Sequence, residues 1–197
     1  VVNNLIYDPG KRAVHYNLVA MEWGKHHYQM GQLSAVGNVL RGGPSTVPDL
    51  PFLTLGGAGD LEYYAKDNIA VDQFGKPLPM VGRYGETQAK LIEEAAPPIW
   101  PDRLDVMPVR DVETNLLWES GARPWDRDAD DLRVLAFIAE GRGEIIDSEK
   151  QVGGYPSFTP TSAPFIDKDW NLDTMEPKSG RYPGQREETT EHLSDRD

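Results

Sequence analysis

The chain has 197 residues, 39% of them hydrophobic, with 5 Trp, 8 Tyr and 5 Phe, which is enough for one domain with a real core. It has no run of about 18 apolar residues, which excludes a membrane-spanning helix. The net charge of −12 argues against nucleic acid and anionic membranes as partners, and zero Cys removes disulfides, thiolate catalysis and Cys-based metal sites. Nineteen Gly and 16 Pro point to many turns and few long helices. No charged n-region followed by an apolar h-region is visible. The chain opens on Val1-Val2-Asn3-Asn4, which reads as the middle of a folded unit, so a mature, cleaved or truncated product is expected.

The first informative feature in chain order is a repeat. Asn4-Leu5-Ile6-Tyr7-Asp8-Pro9-Gly10, Asn38-Val39-Leu40-Arg41-Gly42-Gly43-Pro44 and Asn68-Ile69-Ala70-Val71-Asp72 each place an Asn before three mostly apolar residues and then turn formers. The starts lie 34 and 30 residues apart, the spacing of a solenoid with short strands and Gly/Pro turns. An Asn recurring at a bend can hydrogen-bond the side chains and backbone of its stacked neighbours. Between the repeats, Ala13–Leu18, Gln32–Val36, Phe52–Leu55 and Leu61–Ala65 read as further short strands. Ala20–Gly31 and Gly42–Pro51 read as projecting loops. On pattern alone an antiparallel sandwich stays open beside the solenoid.

From Pro77 the character changes. Met80–Leu104 is Pro-rich and reads as irregular, ending in Pro97-Pro98-Ile99-Trp100-Pro101. Val109–Ser120 reads as a helix with Val112, Leu116 and Leu117 on one face. A second helix should follow Asp126-Arg127-Asp128, with Leu132, Leu135, Ala136 and Ala139 on one face and Gly141 and Gly143 ending it. The organisation predicted is therefore strands over 1–80, an irregular and helical extension over 81–160, and a polar tail over 161–197. That tail would wrap the surface, anchored by Phe165 and Trp170, or be partly disordered.

Several segments together resemble a known family. Val1-Val2-Asn3-Asn4-Leu5-Ile6-Tyr7 resembles a strand carried midway through the β-helix of pectate lyases of the largest polysaccharide lyase family. Gly121-Ala122-Arg123-Pro124-Trp125-Asp126-Arg127-Asp128, Gly143-Glu144-Ile145-Ile146-Asp147-Ser148 and Val152-Gly153-Gly154-Tyr155-Pro156 resemble the C-terminal region of bacterial pectate lyase-like proteins. The resemblance spans roughly residues 1–160. It implies an all-β fold, the C-terminal coils of a right-handed parallel β-helix with a partly helical C-terminal extension. It also implies a secreted or periplasmic protein acting on pectate, polygalacturonate or a related uronic-acid polysaccharide. Such enzymes cleave by β-elimination, with Ca²⁺ on the uronate carboxylate and an Arg removing the C5 proton. In the family, the Ca²⁺ ligands and the Arg base precede the Asn-Asn strand. No catalytic residue and no metal ligand is therefore assigned in this chain, which alone should be catalytically incomplete and would need an N-terminal companion.

Residues 1–59 hold Lys11, Arg12, Lys25 and Arg41 against Asp8, Glu22 and Asp49, a balance of about +1, and three of the four His. The rest of the chain carries the acidic excess. A locally cationic region suits an acidic saccharide, so Lys11, Arg12, His15, Tyr16 and Arg41 are the candidate substrate-binding residues. Lys and Arg would pair with uronate carboxylates, and His15 and Tyr16 would hydrogen-bond or stack on sugar rings. His26-His27 reads as a surface loop, because adjacent His rarely point the same way and only Glu22 lies near at zinc-site spacing. Asp126-x-Asp128-x-Asp130 fails as a Ca²⁺ loop, with Asp131 where Gly is needed and Phe137 where a bidentate Glu is needed. Arg123, Trp125 and Arg127 read as a structural stacking cluster. Gly56-Gly57-Ala58-Gly59 lacks the Lys and helix of a phosphate loop and reads as a turn. Two other functions compete with the lyase. One is a non-catalytic acidic-carbohydrate-binding β-helix. The other is a β-helix hydrolase, which needs clustered carboxylates where the repeat strands end in only Asp8 and Asp72.

Overall fold

Nine short strands alternate with turns through the first half of the chain, and each of the first six pairs in parallel with the strand three places on. The computed structural model describes residues 1–121, 124–157, 168, 170–173 and 176–177. In chain order the strands are β1 (Leu5–Tyr7), β2 (Val14–Leu18), β3 (Gly31–Val36), β4 (Val39–Arg41), β5 (Leu53–Gly57), β6 (Leu61–Lys66), β7 (Ile69–Val71), β8 (Val81–Arg83) and β9 (Leu91–Glu93). They form three parallel sheets, β1-β4-β7, β2-β5-β8 and β3-β6-β9, visited in the same order three times. This is a mostly β protein of the all-β class. The sheets share one core: Leu40 of β4, Leu53 and Leu55 of β5, and Leu61 and Tyr63 of β6 belong to a single buried cluster. Leu40, Phe52, Leu53, Leu55 and Leu61 are fully buried, each contributing about 1.5–3 kcal/mol of burial free energy.

The Asn repeat sets the register. Leu5, Val39 and Ile69 are aligned across β1, β4 and β7, as are Ile6, Leu40 and Ala70. The Asn side chains before these strands form a ladder. Asn38 Oδ1 accepts from Asn4 N–H and Nδ2, each at 3.0 Å, and Asn68 Oδ1 accepts from Asn38 N–H at 3.0 Å and Nδ2 at 2.8 Å. Asn68 Nδ2 donates to Ala35 O at 2.8 Å. The residue before each ladder Asn has a left-handed backbone: Asn3 at φ 52°, Gly37 at φ 64° and Asp67 at φ 53°. Asn, Gly and Asp tolerate that conformation best, and it lets two residues turn the chain from one sheet to the next.

The antiparallel sandwich is not what forms. All strand pairs within the repeats are parallel. The four inter-repeat strands read from the sequence appear within one or two residues of their expected bounds. The expectation of irregular chain from residue 81 needs correction, because β8 and β9 complete a third repeat. Val81-Gly82-Arg83 and Leu91-Ile92-Glu93 are too short to show a period, and they are strands because β5 and β6 supply their backbone partners. The loop 20–31 also holds a one-turn helix, α1 (Ala20–Trp23).

Two longer helices follow, α2 (Val109–Glu119) and α3 (Ala129–Glu140). Val112 of α2 is fully buried, as its spacing predicted. Asp128 caps α3, its side chain accepting from Asp130 N–H and Asp131 N–H, and Gly141 ends it in the left-handed conformation at φ 68°. The predicted inner face of α3 is partly wrong: Leu132 is 56% exposed and Ala139 is exposed, while Leu135 through Ile138 are half-buried. Phe137, on the half-buried side, lies beneath the guanidinium groups of Arg142 at 4.3 Å and Arg133 at 5.6 Å. Arg127 secures a helix end. Its Nη2 donates to Trp118 O and Ser120 O, closing the C-terminal end of α2.

Polar ties hold the extension to the repeats. Asn3 bonds both the N–H and the carbonyl of Met107, and Ser34 Oγ donates to Ile99 O at 2.8 Å. Tyr7 OH donates to Arg142 O, Ile145 N–H donates to Ser45 Oγ, and Arg41 pairs with Glu113. The chain divides into two compact units, Val1–Tyr155 and Pro156–Asp197. In the second, β10 (Trp170–Asn171) pairs antiparallel with β11 (Glu176–Pro177). Arg123 and Phe165, and most of the predicted tail, lie outside the described residues.

Candidate functional site

The outward face of β2-β5-β8 carries the cluster that concentrates chemistry. Along β2, Val14 and Tyr16 pack against the core, so alternation turns His15 and Asn17 outward. His15 is aligned with Thr54 of β5, and Asn17 with Gly56. Small residues recur on this face, and larger neighbours lean over them: a Cβ on Gly56 would lie 3.1 Å from Asn17 Oδ1 and 3.5 Å from His15 Nε2. Pro51 closes over Gly82 in the same way, 2.6 Å from where a Cβ would stand.

Tyr84, immediately after β8, meets this cluster from two repeats away. Its ring lies edge-on to His15, centroids 5.9 Å apart, and the Arg12 guanidinium sits 4.6 Å from its centroid. Arg12 and Lys11 are exposed in the turn before β2, and Tyr84 is 54% exposed. The patch therefore presents two cations and an aromatic ring to solvent, with His15 behind them. Burial first, and the Arg12 charge second, hold the His15 imidazole below its ordinary value of 6.5. His15 Nε2 and Thr54 Oγ1 are both buried without a hydrogen-bond partner among the described residues. In this arrangement the imidazole shapes the patch, and Lys11, Arg12 and Tyr84 are what a ligand would touch.

Two expected site residues are committed elsewhere. Tyr16 faces inward: its ring lies within 2.6 Å of where a Cβ on Gly31 would be, its OH donates to Asp60 O at 3.2 Å, and burial raises its pKa. Its ring is packed against the core, away from the Arg12 patch. Arg41 pairs with Glu113 of α2, donates to Ile138 O of α3, and lies 5.2 Å from the Tyr7 ring centroid. It is a tie between helices and sheet, spent on three partners. Tyr84 was missed because nothing local marks it; only the registry of β2, β5 and β8 brings it beside Arg12.

The other motifs resolve as turns and caps. Asp8 Oδ1 accepts from Ser45 N–H and Thr46 Oγ1, and Asp72 Oδ1 accepts from Phe74 N–H and Lys76 N–H. These two carboxylates build turns in the first and third repeats. His26 and His27 are exposed in the loop after α1, and Gly57, at φ 72°, opens the turn that ends β5. Among the described residues, no group of three or more His, Asp or Glu is arranged to hold a metal ion.

Comparisons with protein-family models, with curated proteins and with solved structures found no match to this chain.

Proposed function

We propose that this chain is the C-terminal part of a right-handed parallel β-helix of the pectate lyase type, serving a lyase that cleaves polygalacturonate or a related uronic-acid polysaccharide. Three parallel sheets visited in rotation around one core, with an Asn ladder at a two-residue turn, support the architecture. The function rests on one observation, the exposed Lys11–Arg12 turn with Arg12 laid on Tyr84. Two cations beside an aromatic face suit a saccharide bearing carboxylates, with Arg able to bind one bidentately.

The base, and the ligands of the Ca²⁺ ion that the resemblance implies, belong to coils on the β1-β2-β3 side. The ladder is suited to such an addition. Asn38 and Asn68 each accept two bonds from the rung before, and Asn4 stands at the exposed end in the same position. Among the described residues, β1 and β2 likewise present unpaired edges for a further parallel coil, and β3 is already met on that side by Val1–Asn3, with Val2 paired in parallel to Val36. Export from the cytoplasm and action outside it belong to the same proposal.

The test is formation of unsaturated, ultraviolet-absorbing product from polygalacturonate with Ca²⁺ present. The chain alone should bind short oligogalacturonates and release no product, and product should appear when the N-terminal coils are supplied. Full activity of the chain alone would overturn the account. Binding without product even when those coils are present would instead favour the non-catalytic binding reading. The Lys11→Ala/Arg12→Ala variant should lose most of the binding.

A further inference from the structure

The outward face of β3-β6-β9 carries a second recess, unrelated to the Arg12 patch. Along β6, Leu61 and Tyr63 point into the core, so Tyr64 and Lys66 point out. The segment after β9 runs back over this face and is fastened at both ends. Ser34 Oγ holds Ile99 O at 2.8 Å, and Asn3 holds Met107 through its N–H at 2.8 Å and its carbonyl at 2.9 Å. Val106 and Met107 close down on Gly37, each 3.3 Å from where a Cβ would stand. Between sheet and segment lies a cleft of about 560 Å³. That lies within the usual range of roughly 300–1,000 Å³ for small-ligand sites.

The walls have a definite chemistry. Tyr64 and Trp100, both half-buried, supply aromatic faces, and Pro97 and Pro108 stiffen the rim. Lys66 and Arg110 stand against the single carboxylate of Asp67 among the lining side chains. Lys66 is exposed and has no ion pair with any described residue. Arg110 has only a loose contact to its neighbour Asp111 at 3.7 Å, with its side chain 83% exposed. α2 begins at this rim, and its N-cap is Pro108, which has no side-chain acceptor for the first-turn N–H groups. The positive end of the helix adds to the two cations, with Asp111 of its first turn set against it. In a chain of net charge −12, two cations beside aromatic faces would favour a negative group set beside a flat apolar ring.

We propose that this cleft is a second binding site for an acidic saccharide, with Lys66 and Arg110 pairing its carboxylates and Trp100 and Tyr64 packing on its rings. It goes beyond the lyase reading, because it needs neither catalysis nor the Arg12 patch.

Amide and indole shifts of the full chain, titrated by NMR with tetragalacturonate and with a neutral tetrasaccharide, test it. Tetragalacturonate should move the Gly37, Lys66, Asp67 and Arg110 amides and the Trp100 indole saturably, and the neutral sugar should leave them unmoved. Lys66→Ala and Arg110→Ala should each weaken that binding roughly tenfold, the share of one charge-assisted hydrogen bond. Both side chains are exposed, so neither change should disturb the fold. Shifts confined to Lys11, Arg12 and Tyr84 would overturn the cleft site while leaving the proposed function standing. Shifts confined to the cleft would support it and count against the Arg12 patch. Cleft shifts that survive both substitutions, or that the neutral sugar reproduces, would also overturn the proposal.

Discussion

Replacing Asn38 with Ala tests the ladder at its middle rung. The side chain is fully buried. Its Nδ2 donates to Asn68 Oδ1 at 2.8 Å and Val1 O at 3.1 Å, and its Oδ1 accepts two bonds from Asn4 at 3.0 Å. Four hydrogen bonds are lost, but not all the partners are orphaned. Val1 O keeps the Val36 N–H, Asn68 Oδ1 keeps the Asn38 N–H, and Asn4 lies at the exposed end where water can replace its lost acceptor. At about 0.5–1.5 kcal/mol per bond, plus a small cavity, the loss comes to roughly 3–4 kcal/mol. Asn4→Ala removes two bonds at the exposed end and should cost about 1 kcal/mol or less. Urea unfolding followed by tryptophan fluorescence should show the difference as a shift in midpoint with little change in slope. Asn38→Asp preserves the size but turns an oxygen toward Asn68 Oδ1 and Val1 O, so it should destabilise at least as much as Ala. Equal costs for Asn4→Ala and Asn38→Ala, or a neutral Asn38→Asp, would refute the ladder as a source of stability.

Two further outcomes follow from the contacts. Arg41→Met should release α2 and α3 from the sheet, because Glu113 and the Ile138 carbonyl both lose their partner. Hydrogen exchange over 109–140 should then quicken about tenfold while β5 and β6 stay protected, and a uniform change across the chain would contradict that role. For His15, the lowered pKa means that the folded chain favours the neutral ring. Its contribution to stability is complete above the ordinary value of 6.5 and is lost as pH falls through that value toward the folded pKa, because the unfolded chain then binds the extra proton. NMR titration of the ring should place its midpoint below 6.5, and Arg12→Ala should raise it only in part, since burial is the larger cause. A midpoint at or above 6.5 in the unaltered chain would contradict the packing described for Tyr84 and His15.

Much of the molecule was legible in its local patterns. Asn4, Asn38 and Asn68 announced the repeat, because a buried amide at a bend needs partners and the chain supplies them at a fixed spacing. Asp128 and Gly141 marked the ends of α3, because capping is chemistry between residues a few places apart. The Asn, Gly or Asp before each ladder Asn was an unread signal of the same kind, a left-handed position visible in residue type alone. What only the tertiary structure decided was everything that depends on neighbours distant in the chain. β8 and β9 are strands because β5 and β6 offer them hydrogen bonds, and no three-residue segment carries that information. Arg41 and Tyr16 carry the right groups for a saccharide, yet one is drawn into the helices and the other into the core. Tyr84 gained its place beside Arg12 through two sheet registers. A charged or aromatic side chain in a stacked repeat takes its role from the residue that lies above or below it, and that residue is some 30 positions away.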